Sequence, residues 1–408
     1  MNKSLVSVVA GVLLLSASAV VAQTQVSIPS MATQKPAVLN ATMYTPEGPG
    51  PFPAIVLAHG CNGIGENVKN WANFLRTRGY MALILDSLTT RSISEVCTAP
   101  RLTPIDRAGD AFGALKYLQS QANVDKNRIG LMGFSHGAVT VLAALSETTP
   151  FPLGDAPQFA AATALYPNCL TSEVDVTVPL LIQSGERDDW SAAAPCQANA
   201  AARKNEGYPV EIEVYPNALH GFDDPAVQHY YGGSWPNLNK PKACCGASVG
   251  YNAAALAKAE QATEQFFAKH LKSVDPKSKV AWSPKAAPTR DEVANLVKAA
   301  KALAMTNGKN KLIELITSQD SQFRKRRVYL TVIDKQGIVL AHGRLPVAAV
   351  GADYSTLKDI DGRPLLNLIQ STLDQNPPWT SLRTAIVDAD IYVERLDNDI
   401  IIIGLLMK

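Results

Sequence analysis

Gly133-Phe134-Ser135-His136-Gly137 sets a serine between two glycines, behind the apolar run 129–132 and ahead of the apolar run 138–145. A strand that feeds a helix through such a pentapeptide forms a nucleophile elbow. The glycines permit a turn too tight for a Cβ. The Ser135 hydroxyl then stands clear of the sheet, and the amide of His136 faces any oxyanion that develops there. A chemically silent glycine turn has the same local sequence, so partners for the serine decide the matter.

Those partners are a general base and a carboxylate to orient it. The apolar run 180–183 ends in Ser184-Gly185-Glu186-Arg187-Asp188-Asp189-Trp190. The run 210–215 leads into Asn217-Ala218-Leu219-His220-Gly221-Phe222-Asp223. Serine, acid and histidine therefore follow one another in chain order, each at the C-terminal end of a strand, the edge where open α/β sheets place their chemistry. His220 is the histidine that follows a late strand downstream of the acid; His229, His270 and His342 suit surface or packing positions better. A second oxyanion amide belongs in a loop after an early strand. Ala58-His59-Gly60-Cys61-Asn62-Gly63 follows the run 54–58, and Cys61 is the expected donor whether or not its sulfur enters a disulfide. His59 is expected to hold that loop.

The elements that must position these residues are legible between 53 and 271. Strand-like runs at 54–58, 80–85, 129–132, 161–166, 180–183 and 210–215 alternate with helical patterns. Thr103-Pro104 supplies an N-cap and a first-turn proline for a helix carrying Ala108, Ala111, Leu115 and Leu118 on one face. A helix over 252–270 closes the series. Continuous apolar strands alternating with helices imply an α/β fold, a doubly wound and mostly parallel sheet covered on both sides. Residues 272–288, rich in lysine and proline, have the texture of a linker. Thr289-Arg290-Asp291-Glu292 is a capping box that opens a helix ending near Asn307-Gly308. Strand signals follow at 328–333, 338–341, 384–387, 391–395 and 400–405. One long helix and then hairpins describe a smaller α+β domain with an antiparallel sheet over 289–408.

Lys+Arg total 38 against Asp+Glu 36, a balance that offers nucleic acid no basic field. Residues 1–22 have the charge, apolar core and small-residue end of a signal peptide, with Lys3, the run 5–15 and Val20-Val21-Ala22. The apolar core is short for a membrane anchor, so an exported protein, periplasmic or secreted, with no stable anchor after cleavage is expected. Export makes the six cysteines disulfide candidates. Many pairings are open; we take Cys61–Cys97 and Cys169–Cys196, with Cys244 and Cys245 joined to each other or free. No zinc-type spacing is present, and neither a metal nor a cofactor is expected.

Residues from about 37 to 272 resemble the dienelactone hydrolase family of α/β-hydrolases. The resemblance rests on His59-Gly60-Cys61-Asn62-Gly63, Asp86-Ser87, the pentapeptide 133–137, Gly185-Glu186-Arg187-Asp188-Asp189-Trp190 and His220-Gly221-Phe222-Asp223. It implies ester or lactone hydrolysis of a small molecule, and its usual spacing of acid from glycine favours Asp188 over Asp189. The archetypal family member uses a cysteine nucleophile, whereas this chain carries Ser135. Paired arginines that grip a lactone carboxylate have no obvious counterparts; Arg91 and Arg187 are the candidates, with Trp190 a further substrate contact.

Residues from about 289 to 408 resemble an extracytoplasmic Cache-type sensor domain, through the long first helix, the strand 328–333, the turn at 334–337, Val339-Leu340-Ala341-His342-Gly343 and Asp359-Ile360-Asp361-Gly362-Arg363. The resemblance implies a small-molecule ligand, with His342, Arg344, Trp379 and Tyr392 as candidate pocket residues. Three readings compete: an exported serine esterase with an appended binding domain, a sensory protein with a degenerate hydrolase half, and a peptidase or acetyl-xylan-type esterase on the same scaffold.

Overall fold

The structure is a computed structural model that describes residues 23–98, 101–146, 149, 151, 158–170, 176, 178–205, 210–241, 245–272, 288–318, 323, 328–343, 349–384 and 388–407. The expected signal peptide at 1–22, most of the expected linker, Arg344 and Cys244 lie outside the described residues.

Eight strands form the first sheet: β1 (Gln23–Pro29), β2 (Val38–Tyr44), β3 (Phe52–Ala58), β4 (Met81–Leu85), β5 (Val124–Phe134), β6 (Ala161–Leu165), β7 (Leu180–Gly185) and β8 (Val210–Tyr215). Their order is β1-β2-β4-β3-β5-β6-β7-β8. Pairing is parallel from β4 to β8, while β1 and β2 add an antiparallel edge. The central strands β3, β4 and β6 and the second half of β5 are buried and largely apolar because both of their faces are covered. On one face α1 (Glu66–Thr77) and α5 (Ala253–Phe267) bury Trp71, Leu75, Phe266 and Phe267 against Ile55, Leu57 and Met132. On the other, α2 (Pro104–Gln119), α3 (His136–Leu145) and α4 (Ala193–Asn205) pack Phe112, Leu115, Val141 and Cys196 against Val56, Leu131 and Ile182. The capping box of α2 forms as the sequence suggests: Asp106 N–H donates to Thr103 Oγ1 (3.2 Å), and Asp106 Oδ2 accepts from Thr103 N–H (3.1 Å).

Disulfides join Cys61 to Cys97 and Cys169 to Cys196, the pairs taken from the sequence, and Cys245 is disulfide-bonded. Among the described residues no helix is long and apolar enough to cross a membrane.

A hairpin of β9 (Tyr230–Gly232) and β10 (Ala247–Val249) brackets the loop after His220. Beyond it, α6 (Arg290–Asn307) and α7 (Lys309–Thr317) precede a second sheet of β11 (Val328–Asp334), β12 (Val339–His342), β13 (Trp379–Arg383), β14 (Asp388–Arg395) and β15 (Ile400–Met407), with α8 (Leu365–Leu373) before β13. The order is β12-β11-β15-β14-β13, antiparallel throughout. Helices α6 and α7 cover one face through Val293, Val297 and Leu312, and α8 covers the other through Leu365 and Ile369. Of the strand expected at 384–387, Thr384 is not in a strand and 385–387 lie outside the described residues; the strand at 379–383 was not expected. That strand is an edge with mixed exposure, so its apolar signal is weak.

The two sheets' layers touch. Leu170 and Leu238 pack against the core around Ile391 and Leu405. Arg383, at the end of β13, donates from Nη2 to both oxygens of Asp106, at 3.2 and 3.1 Å.

Candidate active site

Ser135 sits between β5 and α3 with φ 52° and ψ −116°, a backbone state that costs a non-glycine residue about 1–3 kcal/mol and persists where its surroundings enforce it. The enforcement is visible in the neighbouring glycines. A Cβ on Gly133 would lie 2.2 Å from the Gly137 carbonyl oxygen, and one on Gly137 would lie 2.0 Å from that of Ala58. Both obstacles are backbone, so glycine alone lets α3 pack this closely on β3 and β5. Ser135 N–H donates to the Leu165 carbonyl (3.0 Å), anchoring the elbow to β6.

Residues that the sequence placed at three separate strand ends converge here. Ser135 Oγ lies 2.9 Å from His220 Nε2, and His220 Nδ1 lies 2.8 Å from Asp188 Oδ2. The carboxylate can only accept, so the proton sits on Nδ1 and Nε2 is left to accept from the serine hydroxyl. Asp188 is held in turn, its Oδ1 accepting the amides of Trp190 (2.9 Å) and Ser191 (2.7 Å). Asp189 faces elsewhere: its Oδ1 accepts from Ser248 N–H (2.8 Å) and its Oδ2 lies 3.8 Å from Lys240 Nζ.

The imidazole of His220 is clasped between two rings, Tyr166 at 4.6 Å and Trp190 at 4.9 Å between centroids. Beneath it Tyr166 O–H donates to Asp223 Oδ1 (2.7 Å), while Trp71 Nε1–H (2.9 Å) and Asn67 Nδ2–H (3.2 Å) donate to Oδ2. Burial raises the Asp223 carboxyl above its ordinary range despite these donors. The Tyr166 phenol is raised well above its own, by burial first and then by the Asp223 charge. This network fastens the segment that carries His220 to α1.

The two expected oxyanion amides belong to Cys61, in the loop after β3, and to His136, the first residue of α3. Among the described residues no acceptor takes the N–H of Cys61 or of His136. The Cys61 loop is fixed by the bridge to Cys97 and by Val96 N–H donating to the Cys61 carbonyl (2.9 Å). His59 holds the loop as expected. Its Nε2 accepts from Ser87 N–H (3.2 Å), and Nδ1–H donates to the Gly60 carbonyl (2.7 Å). Complete burial, reinforced by the nearby Arg107 cation, pushes its pKa down to about 3.

Over the site Trp190 stacks on Trp235, 4.5 Å apart and 7° from parallel, and Tyr230 meets Trp235 edge-on at 5.6 Å. Asn237 Nδ2 donates to the Asp189 carbonyl (2.8 Å) and Asn239 Nδ2 to that of Trp190 (2.9 Å), stitching this loop to the Asp188 segment.

The two arginine candidates differ in their surroundings. Arg91 is engaged by Asp110 at 2.7 and 3.0 Å and by the Lys35 and Ser87 carbonyls, which leaves its side chain 7% exposed. Arg187 is exposed. In the second sheet Trp379 and Tyr392 are register partners with rings 5.2 Å apart. His342 stands on β12, at the opposite edge of that sheet from Trp379. The sequence reading missed Tyr166 and Arg107; an arginine on the apolar stripe of α2, one residue before Ala108 and four before Ala111, was the available signal.

Compared with known proteins, residues 39–271 match the dienelactone hydrolase family. This chain belongs to that family. The matched stretch contains Ser135, Asp188 and His220 and stops ahead of α6. A "Probable 2-oxo-3-(5-oxofuran-2-ylidene)propanoate lactonase" of Bradyrhizobium sp is 25% identical over 195 residues, 45% of this chain and 79% of the relative. A thiohydrolase of Aspergillus aculeatus is 30% identical over 106 residues, 26% of this chain and 33% of its own. Among solved structures, a dienelactone hydrolase-like promiscuous phosphotriesterase from metagenomic libraries aligns with 61% of this chain and 99% of its own, at 20% identity and a TM-score of 0.47. A thermophilic esterase of Thermogutta terrifontis aligns with 62% and 95%, at 16% identity and a TM-score of 0.45.

Proposed function

We propose that this protein is an exported serine hydrolase that cleaves a carboxylic ester or lactone through an acyl-enzyme on Ser135. The observation that carries the reading is the unbroken relay Ser135 Oγ–His220 Nε2 and His220 Nδ1–Asp188 Oδ2, at 2.9 and 2.8 Å. His220 takes the hydroxyl proton as Ser135 attacks the carbonyl carbon, and Asp188 holds the imidazole tautomer and stabilises its charge. The Cys61 and His136 amides receive the oxyanion, each worth about 3 kcal/mol in comparable sites. His220 then protonates the leaving alkoxide, activates a water, and the second tetrahedral intermediate collapses to free acid and Ser135. A lactone keeps its leaving group tethered, so the same steps open the ring. The Bradyrhizobium relative, described as a lactonase, is the ground for including lactones.

Residues 23–271 form the hydrolase domain on this reading, 272–288 a linker, and 289–408 a Cache-like domain that binds a small molecule. The two described disulfides, Cys61–Cys97 and Cys169–Cys196, support an oxidising compartment and with it removal of 1–22 as a signal peptide. For the Cache-like reading the support is the long helix α6 against a five-stranded antiparallel sheet. Trp379 and Tyr392, whose rings lie 5.2 Å apart, remain candidate ligand contacts on this reading.

The test is Ser135→Ala. It should abolish p-nitrophenyl ester hydrolysis and labelling by a fluorophosphonate; full activity in the purified variant refutes the assignment.

A further inference from the structure

Arg107 is a buried cation that none of the ion pairs among the described residues includes. Its side chain rises from the apolar stripe of α2, and the residue is 1% exposed. The acid one turn on, Asp110, is already occupied by Arg91 at 2.7 and 3.0 Å and by Ser30 Oγ–H at 2.6 Å. Arg107 Nε finds no acceptor. A buried guanidinium without a hydrogen-bonded acid is unfavourable; the charges of Asp110 and Asp86 offset part of that cost, and the Arg107 hydrogen bonds go elsewhere.

Those contacts join the two halves of the oxyanion site. Nη1–H donates to His136 Nδ1 (2.9 Å), and Nη2–H donates to the His59 carbonyl (2.7 Å). His136 owns one of the two free amides, and His59 stands two residues before Cys61, which owns the other. The planar fork of a guanidinium presents two nitrogens to the two acceptors in one rigid group, whereas a lysine would have to serve both from one nitrogen. Both histidines are kept neutral by burial first and by this cation second, so His136 Nδ1 remains an acceptor. The pKa of Arg107 itself falls only to about 10, which leaves it charged at neutral pH.

We propose that Arg107 is a positioning residue for the oxyanion hole, clamping the His59–Cys61 loop to the His136 elbow so that both amides converge on the reacting carbonyl oxygen. The proposal rests on the serine-hydrolase reading above. Losing the clamp frees the amides to diverge, which harms the transition state more than the ground state.

The test compares Arg107→Gln and Arg107→Lys with wild type and Ser135→Ala in the full-length chain. Readouts are steady-state hydrolysis of p-nitrophenyl acetate and inhibition by an alkyl trifluoromethyl ketone, whose hemiketal oxyanion must occupy the same hole. Arg107→Gln should lower kcat about 100-fold, the scale of one lost oxyanion donor, with KM within threefold and Ki raised in proportion. Arg107→Lys, which keeps the charge but lacks the rigid fork, should lose about tenfold. Wild-type kcat in folded Arg107→Gln, or in Arg107→Lys, overturns the clamp, as does a loss of kcat with unchanged Ki. Circular dichroism establishes folding, and Arg107→Lys decides by the same readouts if Arg107→Gln does not fold. An inactive wild type that fluorophosphonate leaves unlabelled sinks the hydrolase reading and the clamp together. Ser135-dependent activity that is indifferent to Arg107 sinks the clamp alone.

Discussion

Adding one methyl group at Gly137 should separate the two oxyanion amides. A Cβ there would lie 2.0 Å from the Ala58 carbonyl oxygen and 2.5 Å from that of His59. Real Cβ atoms essentially never come within 3.0 Å of such an atom, so α3 and the loop after β3 must part by at least 1.0 Å, the difference between 3.0 and 2.0 Å. The wedge enters between the elbow and the segment that leads to Cys61. Neither side yields easily, because both contacts are backbone and the His59 carbonyl is also held by Arg107. Overpacking of this kind costs about 1–3 kcal/mol of stability, which leaves the chain folded. A misplacement of about 1 Å at a reacting centre costs on the order of 100-fold in rate. Gly137→Ala should therefore lower kcat for p-nitrophenyl acetate by about 100-fold or more, with KM nearly unchanged. The assay is steady-state hydrolysis of that ester, run beside circular dichroism and thermal unfolding. A folded Gly137→Ala variant with kcat within threefold of wild type would show that close packing of α3 does not set the oxyanion geometry.

Other expectations follow from individual contacts. Asp188→Asn should lower kcat about ten-thousand-fold by upsetting the His220 tautomer, while Asp189→Asn, bonded to Ser248 instead, should stay within tenfold; comparison of the two rates decides the acid. His59 is neutral in the fold, with a pKa of about 3 against an ordinary 6.5. Its contribution to stability is complete above pH 6.5 and is lost as pH falls toward 3. By pH 5 that loss is about 2 kcal/mol. Urea unfolding of wild type and His59→Gln at pH 7 and pH 5 should show wild type losing that much more, and parallel curves contradict the penalty. Removing Arg383 leaves Asp106 nearly buried, although its Thr103 bonds persist. Arg383→Ala should lower stability by about 1–3 kcal/mol, the cost of a buried acceptor that loses one donor, and an unchanged unfolding midpoint would mean that the interlayer ion pair contributes nothing.

Local chemistry makes much of this site legible in the order of residues. A tight turn with glycine on both sides of Ser135 depends on neighbours in sequence, so the pentapeptide announces it. The chain order of serine, acid and histidine survives because parallel strands deliver successive loops to one sheet edge. The buried strands β3, β4 and β6 are readable for a similar reason: each is a short, largely apolar run covered on both faces. The edge strand β1 offers only Val26 and Ile28 among polar neighbours, while α7 and α8 are short; their identities depend on what packs against them.

The sequence by itself determined that this chain carries a serine elbow with a histidine and a carboxylate set to meet it. Tertiary structure decided which carboxylate, because adjacent loop residues point in different directions and only Asp188 turns toward His220. It committed Arg91 to Asp110, parted His342 from Trp379, and drew Trp235 over Trp190. It also brought Arg107 beneath two loops that lie 77 residues apart in the chain, from His59 to His136. Such contacts depend on distances between elements rather than on residue order, and packing alone sets those distances.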